Sequence, residues 1–118
     1  MITLLSFGYK HGIPEGATLI FDCRHLRNPH RRRDLRYLTG LDGAVRSEVM
    51  NTQGARALVH TISCAVASRL SDATFAVGCY GGNHRSVAIV EEVAREAKEF
   101  GWPVSVVHRD LRTDGRPV

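Results

Sequence analysis

One segment of the chain joins a short apolar run, a glycine-rich turn and a long amphipathic stretch. The run TFAVGC (74–79) is continuous and apolar, which is typical of a buried strand. Residues 84–100 space their apolar side chains at helical intervals and stop at Gly101, which predicts a helix with Glu91 and Arg95 paired one turn apart on its outer face. The predicted buried face of that helix is Val87, Val90, Val93, Ala94, Ala97 and Phe100. A strand that turns directly into a helix is the building unit of α/β proteins.

The rest of the chain repeats this alternation. Apolar, β-branched runs predict strands at 3–9, 18–23 and 104–110, and helical spacing predicts helices at about 44–50 and 53–70. The second of these helices would bury Ala55, Leu58, Val59, Ile62, Val66 and Leu70. We therefore predict an α/β fold: a small sheet of about four largely parallel strands with helices packed on its faces.

Length and composition indicate one cytoplasmic domain. The chain has 118 residues, which we assign to a single domain, 1–118, and its 43% of apolar residues is enough for one buried core. No apolar run approaches the roughly 20 residues of a membrane-spanning helix. The start of the chain lacks the pattern of a signal peptide, so we expect a cytoplasmic protein with a loose polar tail at 111–118.

The positive charge of the chain is concentrated in one stretch. Residues 24–36 hold six arginines and one aspartate, a local charge of +5 against +4 for the whole chain, so the remainder sums to −1. A localised basic segment is typical of a polyanion-binding surface, and the alternative is a solvated arginine-rich loop without a partner. The long irregular stretch 24–43 also favours a functional role, because loops of that length are unusual in a small domain.

Polar and cationic residues follow each predicted strand. They are Lys10, the Asp22–Arg24 region, the loop 79–86 and the pair His108 and Arg109. In parallel sheets, ligands bind at the carboxyl ends of the strands. The sequence therefore predicts a binding site where these four segments meet.

The loop between the third strand and its helix has the composition of an anion cradle. Free backbone N–H groups at a helix N-terminus attract oxyanions, and Gly81 and Gly82 let the backbone curl around one. Arg85 could add a bidentate fork, Ser86 a hydroxyl and His84 a further donor.

The same loop fits a second interpretation, in which Cys79 is a nucleophile. Cys79 and Arg85 are separated by five residues and Ser86 follows, which is the Cys-x5-Arg-Ser/Thr spacing of cysteine-dependent phosphatases. Such an enzyme also needs a general acid. The candidates are Asp22, Asp110 and Asp114, and nothing in the sequence chooses among them. The lack of a convincing acid favours binding over catalysis.

The other two cysteines are predicted to be structural. The odd count of three cysteines and the absence of a CxxC pair argue against a disulfide framework. We expect Cys23 and Cys64 to be small buried hydrophobic residues. Cys23 and His25 are too few ligands for a metal, so we predict no metal site and no cofactor.

Four segments together strongly resemble the C-terminal domain of the RapZ family of bacterial RNase adaptor proteins. They are SFGYKHGIP, FDCRHLRNPH, LRYLTGLDG and GCYGGNHRSVAIVEEVA, and the resemblance runs from about Ser6 to Leu111. It implies an α/β domain with a pocket for a phosphorylated sugar such as glucosamine-6-phosphate. It also implies a role in regulating amino-sugar and cell-envelope precursor synthesis, through binding of small RNAs and their presentation to an endoribonuclease. Relatives assemble through this domain, which implies a homodimer.

Carried over to this chain, the resemblance assigns the phosphosugar pocket to eight residues. They are Lys10, Arg24, His30, Gly81, Gly82, His84, Arg85 and Ser86.

Three departures from the family pattern bear on function. The nucleotide loop GxxxxGK[ST] of the family's N-terminal domain does not occur in this chain, so nucleotide hydrolysis is not carried over. The lysine-rich C-terminus of RNA-binding members is replaced by RTDGRPV. Arg31 stands where the family often has an aromatic residue, and Arg31, Arg32 and Arg33 are the candidates for RNA binding in place of that tail.

Overall fold

A computed structural model of the chain describes residues 1–112. The helices and strands, in chain order, are β1 (Ile2–Gly8), β2 (Leu19–Asp22), α1 (Gly43–Met50), α2 (Ala55–Ala67), β3 (Ala73–Cys79), α3 (Arg85–Glu99) and β4 (Val104–His108). Single 3-10 turns follow β1 at Tyr9–His11 and precede α1 at Pro29–Arg31. Most of the predicted polar tail, and with it the candidate acid Asp114, lies outside the described residues.

The four strands form one parallel sheet in the order β2-β3-β1-β4. In the register of the sheet, Leu4 of β1 lies between Phe75 of β3 and Val106 of β4. The predicted α/β class with about four largely parallel strands is confirmed. Among residues 1–112 there is no helix that is both long and apolar enough to cross a membrane.

The three helices cover one face of the sheet. Leu4, Phe75 and Val77 share that face and pack with Val45, Ile62 and Ile89 from the three helices. The prediction had helices on the faces of the sheet. A single covered face results because the crossovers from β2 to β3 and from β3 to β4 run in the same direction across the sheet, and crossovers of this kind are right-handed. The other face presents Leu5, Ile20 and Val107, and the last two are more than 40% exposed.

Some predicted burial positions are wrong at the helix ends. Leu70 is fully exposed because α2 already ends at Ala67, and Phe100 is 65% exposed just beyond α3. Cys64, expected in the core, is on the exposed side of α2. Gly101 has a φ of +77° and ends α3 as predicted.

The predicted pair Glu91–Arg95 does not form. Arg95 instead contacts Glu92 and Glu99 along the outer face of α3. The Glu91 carboxylate faces the ring of His108, 2.9 Å from Nε2, because this side of α3 lies against β4.

Candidate functional site

A cavity of about 210 Å³ opens at the carboxyl end of β3, beside the N-terminus of α3. The residues around it come from the loop after β3 and from the stretch that follows β2. They are Asn28, His30, Cys79, Tyr80, Gly81, Asn83, His84 and Arg85. The cavity therefore lies where the ends of parallel strands and a helix dipole both favour an anion.

The loop that forms the wall of the cavity is held by close backbone contacts. A Cβ atom on Gly8 would lie 2.4 Å from the carbonyl carbon of Gly81, so β1 and the loop can touch only because residue 8 is glycine. Gly82 has a φ of +80°, a conformation that favours glycine. From the other side, the Gly40 N–H donates to the Asn83 carbonyl at 2.9 Å. These contacts give the loop one fixed path around the cavity.

Arg85, the first residue of α3, is buried with an unused donor. Its side chain turns back toward the segment after β2, where Nη1 donates to the carbonyls of Arg24 at 2.7 Å and of Leu26 at 3.3 Å. The residue is only 6% exposed, and its Nε is buried without a hydrogen-bond partner among residues 1–112. A buried, charged donor without an acceptor is costly, and a bound oxyanion would supply the acceptor.

Two histidines flank the arginine. His30 sits in the Pro29–Arg31 turn, which is capped by the Asn28 side chain, and its Nδ1 is also buried without a partner in the described part of the chain. The ring of His84 lies 6.3 Å from that of His30, centroid to centroid. His84 donates from Nε2 to the Leu38 carbonyl at 2.7 Å, and burial lowers the pKa of its ring. A neutral His84 therefore does not repel the cation of Arg85.

Cys79 forms the floor of the cavity with a sulfur that accepts hydrogen bonds. Its Sγ lies 3.2 Å from the Gly82 backbone nitrogen and 3.2 Å from Ser86 Oγ. The pKa of Cys79 is held well below its usual range, chiefly by the neighbouring Cys23 thiol, and the Ser86 hydroxyl and the Gly82 amide add to this. The sulfur is buried but lines the cavity, so the site can hold a thiolate at its base.

The predicted pocket residues fall into two groups around this cavity. Four of them, His30, Gly81, His84 and Arg85, are among its lining residues. Ser86 and Gly82 are not among the lining residues; both are buried and lie at hydrogen-bonding distance from the Cys79 sulfur.

Lys10 and Arg24 lie outside the lining. The Arg24 guanidinium forms a bidentate pair with Asp22 and lies 3.8 Å from the centroid of the Tyr9 ring. The Lys10 ammonium lies 5.6 Å from the centroid of the Tyr80 ring. Both cations are exposed at the rim, where they can attract an anion but do not enclose it.

The candidate RNA-binding arginines 31–33 are all exposed and follow His30 directly. Arg32 is already engaged by Glu48 and by Asp34, at 2.5 Å and 2.8 Å. Within residues 1–112 no ion pair involves Arg31 or Arg33. The three arginines predicted to bind RNA therefore differ in whether a carboxylate already pairs with them.

Three lining residues were not predicted: Asn28, Tyr80 and Asn83. Asn28 precedes a proline and caps the turn of His30, a pattern that can be read from sequence. Tyr80 and Asn83 lie inside the predicted loop 79–86. Tyr80 is 60% exposed and places an aromatic ring at the mouth of the cavity.

The described candidate acids are not arranged for proton donation to the cavity. The Asp110 carboxylate accepts from the Gly8 N–H at 2.8 Å and pairs with Arg109. Burial alone would raise the pKa of Asp110, but the hydrogen bonds from Arg109 and Gly8 outweigh burial, so its pKa is lowered. The hydrogen bond from Arg24 lowers the pKa of Asp22. Neither carboxylate lines the cavity, and both favour the ionised form.

Comparison with known proteins gives a consistent result. Residues 1–112 match the family model described as the RapZ C-terminal domain. The chain is 42% identical over 116 residues to a protein of Thermobifida fusca named nucleotide-binding protein, covering 92% of this chain and 40% of that one. Proteins of the same name from Saccharopolyspora erythraea (45% over 121 residues, 93% and 41%) and Leifsonia xyli (42% over 119 residues, 93% and 40%) are similar. The chain thus spans about two fifths of the length of these curated relatives.

Proposed function

The chain belongs to the RapZ C-terminal domain family, and from this premise we propose that it is a sensor domain that binds a phosphorylated amino sugar of the glucosamine-6-phosphate type. The observation that carries the proposal is a pair of buried polar atoms on two residues that line the cavity: Arg85 Nε and His30 Nδ1 have no hydrogen-bond partner among residues 1–112. Buried polar groups in native proteins are nearly always hydrogen-bonded. Two such groups in one cavity therefore favour a polar ligand that supplies their hydrogen-bond partners.

The parts of the cavity suit the two ends of such a ligand. The phosphate would rest against the loop amides and the N-terminus of α3, with Arg85 Nε as its charged donor. The side chains of Asn28, Asn83 and His30 offer donors and acceptors of the kind that sugar hydroxyls need. Lys10 and Arg24 at the rim would attract the anion from solvent.

The sensor would act as an adaptor through the basic surface beside the pocket. The Pro29–Arg31 turn places His30 at the cavity and Arg31 at the exposed surface. A ligand that contacts His30 would therefore lie next to the first residue of the arginine cluster 31–33. We infer that this cluster binds RNA by charge and shape and that the domain, in the cytoplasm and as a homodimer, presents it to an endoribonuclease in amino-sugar regulation. The chain corresponds to part of its relatives' length, so this role describes one module.

The test is thermal unfolding of the protein with glucosamine-6-phosphate, glucose-6-phosphate and free glucosamine. A ligand that binds only the native state raises the unfolding temperature. We expect glucosamine-6-phosphate to stabilise the protein most, glucose-6-phosphate less, and glucosamine least. Equal stabilisation by all three, or none, would contradict the proposal.

Two arginine variants separate the pocket from general charge. Arg85→Ala should abolish the stabilisation, because the buried donor is removed. Arg33→Ala removes the same charge from an exposed side chain without an ion pair among residues 1–112, and should leave the stabilisation unchanged. A far-ultraviolet circular dichroism spectrum of each variant confirms that the fold is retained.

A cysteine phosphatase is the second candidate, because Ser86 and the Gly82 amide both lie at hydrogen-bonding distance from the Cys79 sulfur. The positions of Asp22 and Asp110 disfavour it, since neither carboxylate lines the cavity as a general acid would. Turnover of an aryl phosphate that disappears in Cys79→Ser would establish it. Clean protein without turnover would leave Cys79 as a thiol of the binding loop.

A further inference from the structure

We propose that Cys79 and Cys23 are a redox-active thiol pair, in which a peroxide that enters the anion cavity oxidises Cys79 and Cys23 resolves the product as an intramolecular disulfide. This goes beyond ligand binding, because it assigns a modification site to two cysteines of which only one touches the cavity.

The sheet places the two cysteines side by side. Asp22 of β2 is paired with Gly78 of β3, so the next residues along the two strands, Cys23 and Cys79, are neighbours. The Cys23 N–H donates to the Gly78 carbonyl at 2.9 Å, which continues the ladder to this point. Neighbouring strands are about 4.8 Å apart, and disulfide-bonded residues have Cα atoms about 4.4–6.8 Å apart. A separation of one strand spacing is therefore within the Cα range that a disulfide requires.

The two thiols have different environments. The Cys79 sulfur accepts from the Gly82 N–H and lies 3.2 Å from Ser86 Oγ, whereas the Cys23 thiol donates to the Gly78 carbonyl at 3.2 Å. The neighbouring Cys23 thiol, the Ser86 hydroxyl and the Gly82 amide lower the pKa of Cys79, whereas the neighbouring Cys79 and burial raise the pKa of Cys23. The proton is thus favoured on Cys23, and Cys79 is the cysteine that more readily forms the thiolate, the form that reacts with peroxides.

Only one of the two cysteines lines a cavity that opens to solvent. Cys79 lines the open cavity, whereas Cys23 is fully buried behind it. Hydrogen peroxide is close to water in size and can enter a cavity of about 210 Å³. The order of events follows from this access: Cys79 reacts first and Cys23 second.

The chemistry balances in two steps. The Cys79 thiolate attacks one oxygen of hydrogen peroxide, the O–O bond breaks, and Cys79 becomes a sulfenic acid while hydroxide leaves. The Cys23 sulfur then attacks the Cys79 sulfur, the S–O bond breaks, and the sulfenic oxygen leaves with the Cys23 proton as water. Two thiols are oxidised by two electrons, and one peroxide is reduced to the level of water.

The experiment treats the full chain with a small excess of hydrogen peroxide, blocks remaining thiols, and maps the linked peptides by mass spectrometry. Cys64 is the internal reference, because it is exposed and has no neighbouring cysteine. We expect a 23–79 disulfide that dithiothreitol reverses, formed at least about tenfold faster than Cys64 is oxidised. Oxidation of Cys64 first, or loss of thiols without a 23–79 link, would overturn the proposal.

Single variants then test the order of the two steps. Cys23→Ser should accumulate a Cys79 sulfenic acid that dimedone traps, and Cys79→Ser should leave Cys23 reduced. Equal oxidation of Cys23 in Cys79→Ser would show that Cys79 is not the entry point. The peptide map of the unaltered chain needs no variant, so a variant that fails to fold does not remove the test.

Inorganic phosphate in the same assay separates this proposal from the proposed function. A phosphate in the cavity should slow formation of the 23–79 link. A link that forms at the same rate with and without phosphate would support the thiol pair and count against the anion site. A link that never forms, in protein that phosphate stabilises, would do the opposite.

Discussion

Arg85 and the arginines of residues 24–36 have the same side chain in contrasting environments. Arg85 is 6% exposed, is held by two backbone carbonyls, and keeps a buried Nε without a partner in the described chain. Arg24, Arg27 and Arg32 are exposed, and each pairs with a carboxylate. The six arginines of residues 24–36 are conspicuous in the sequence, yet it is Arg85, outside that segment, that has the features of a binding site.

The difference shows what charge density can and cannot reveal. Exposed ion pairs contribute little energy and exchange readily with solvent, so a cluster of them attracts polyanions without selecting one. A buried guanidinium with an N–H that lacks a partner needs a hydrogen-bond acceptor at one defined position. The basic segment is therefore suited to an extended partner, and the loop after β3 is suited to a small oxyanion.

The largest effect is expected where the loop backbone itself is changed. Gly82→Ala places a Cβ at a φ of +80° and within 2.5 Å of the Gly8 nitrogen. We expect a loss of roughly 3 kcal/mol in the free energy of unfolding, from the left-handed conformation and from overpacking together. Urea unfolding measures it.

Gly43→Ala is the control for that variant, because a Cβ there meets nothing within 4 Å and residue 43 begins α1. It should be neutral or stabilise by up to about 1 kcal/mol. Equal stability of Gly82→Ala and the unaltered chain would show that the loop is not fixed by its close contact with β1.

Arg85→Lys tests whether the buried arginine acts through its geometry or only through its charge. Lysine keeps the charge but cannot bond two carbonyls and still present a fixed donor to the cavity. We expect the affinity for glucosamine-6-phosphate to fall by roughly tenfold to a hundredfold, the effect of one charge-assisted hydrogen bond, in isothermal titration calorimetry. Arg32→Lys, at an exposed side chain outside the cavity, should change it by less than about twofold. Equal losses in the two variants would remove the distinction between the regions.

The sequence predicted the parallel sheet and the loop because both depend on local patterns. Continuous apolar strands and a glycine-rich turn before a helix are visible without any tertiary contact. Burial at helix ends was not predictable in this way: Leu70 fits the apolar spacing of α2, but the helix stops at Ala67. The proximity of Cys23 to Cys79, and the lack of a partner for Arg85 Nε within residues 1–112, arise from strand register and packing, which no short pattern encodes.

The pH dependence of stability should report on the cavity through His84. Burial lowers the pKa of His84 below the ordinary value of about 6.5, so between these two pH values the unfolded chain binds more protons than the folded chain. Stability from this histidine is complete above pH 6.5 and is lost as the pH falls toward the folded pKa. We expect the unfolding temperature to decline from pH 7 to pH 5.5, and less so in His84→Gln, which keeps a donor for the Leu38 carbonyl.

Sulfate sharpens the same measurement, because it stays a dianion across this range. An anion in the cavity favours the protonated ring, so its stabilising effect should grow as the pH falls. An effect of sulfate that is independent of pH, or identical in His84→Gln, would place the anion away from His84.

The smallest effects are expected in the arginine cluster, where they separate Arg32 from its neighbours. Arg31→Ala and Arg33→Ala should each change the free energy of unfolding by no more than about 0.5 kcal/mol, as for other exposed positions. If the cluster binds single-stranded RNA, each should reduce the slope of log affinity against log salt by about 0.7, the value for one phosphate contact. Arg32→Ala should reduce it less, because Glu48 and Asp34 already compete for that side chain. Fluorescence anisotropy of a labelled oligonucleotide at several salt concentrations measures the three slopes, and three equal slopes would mean that the ion pairs of Arg32 do not limit its contact with RNA.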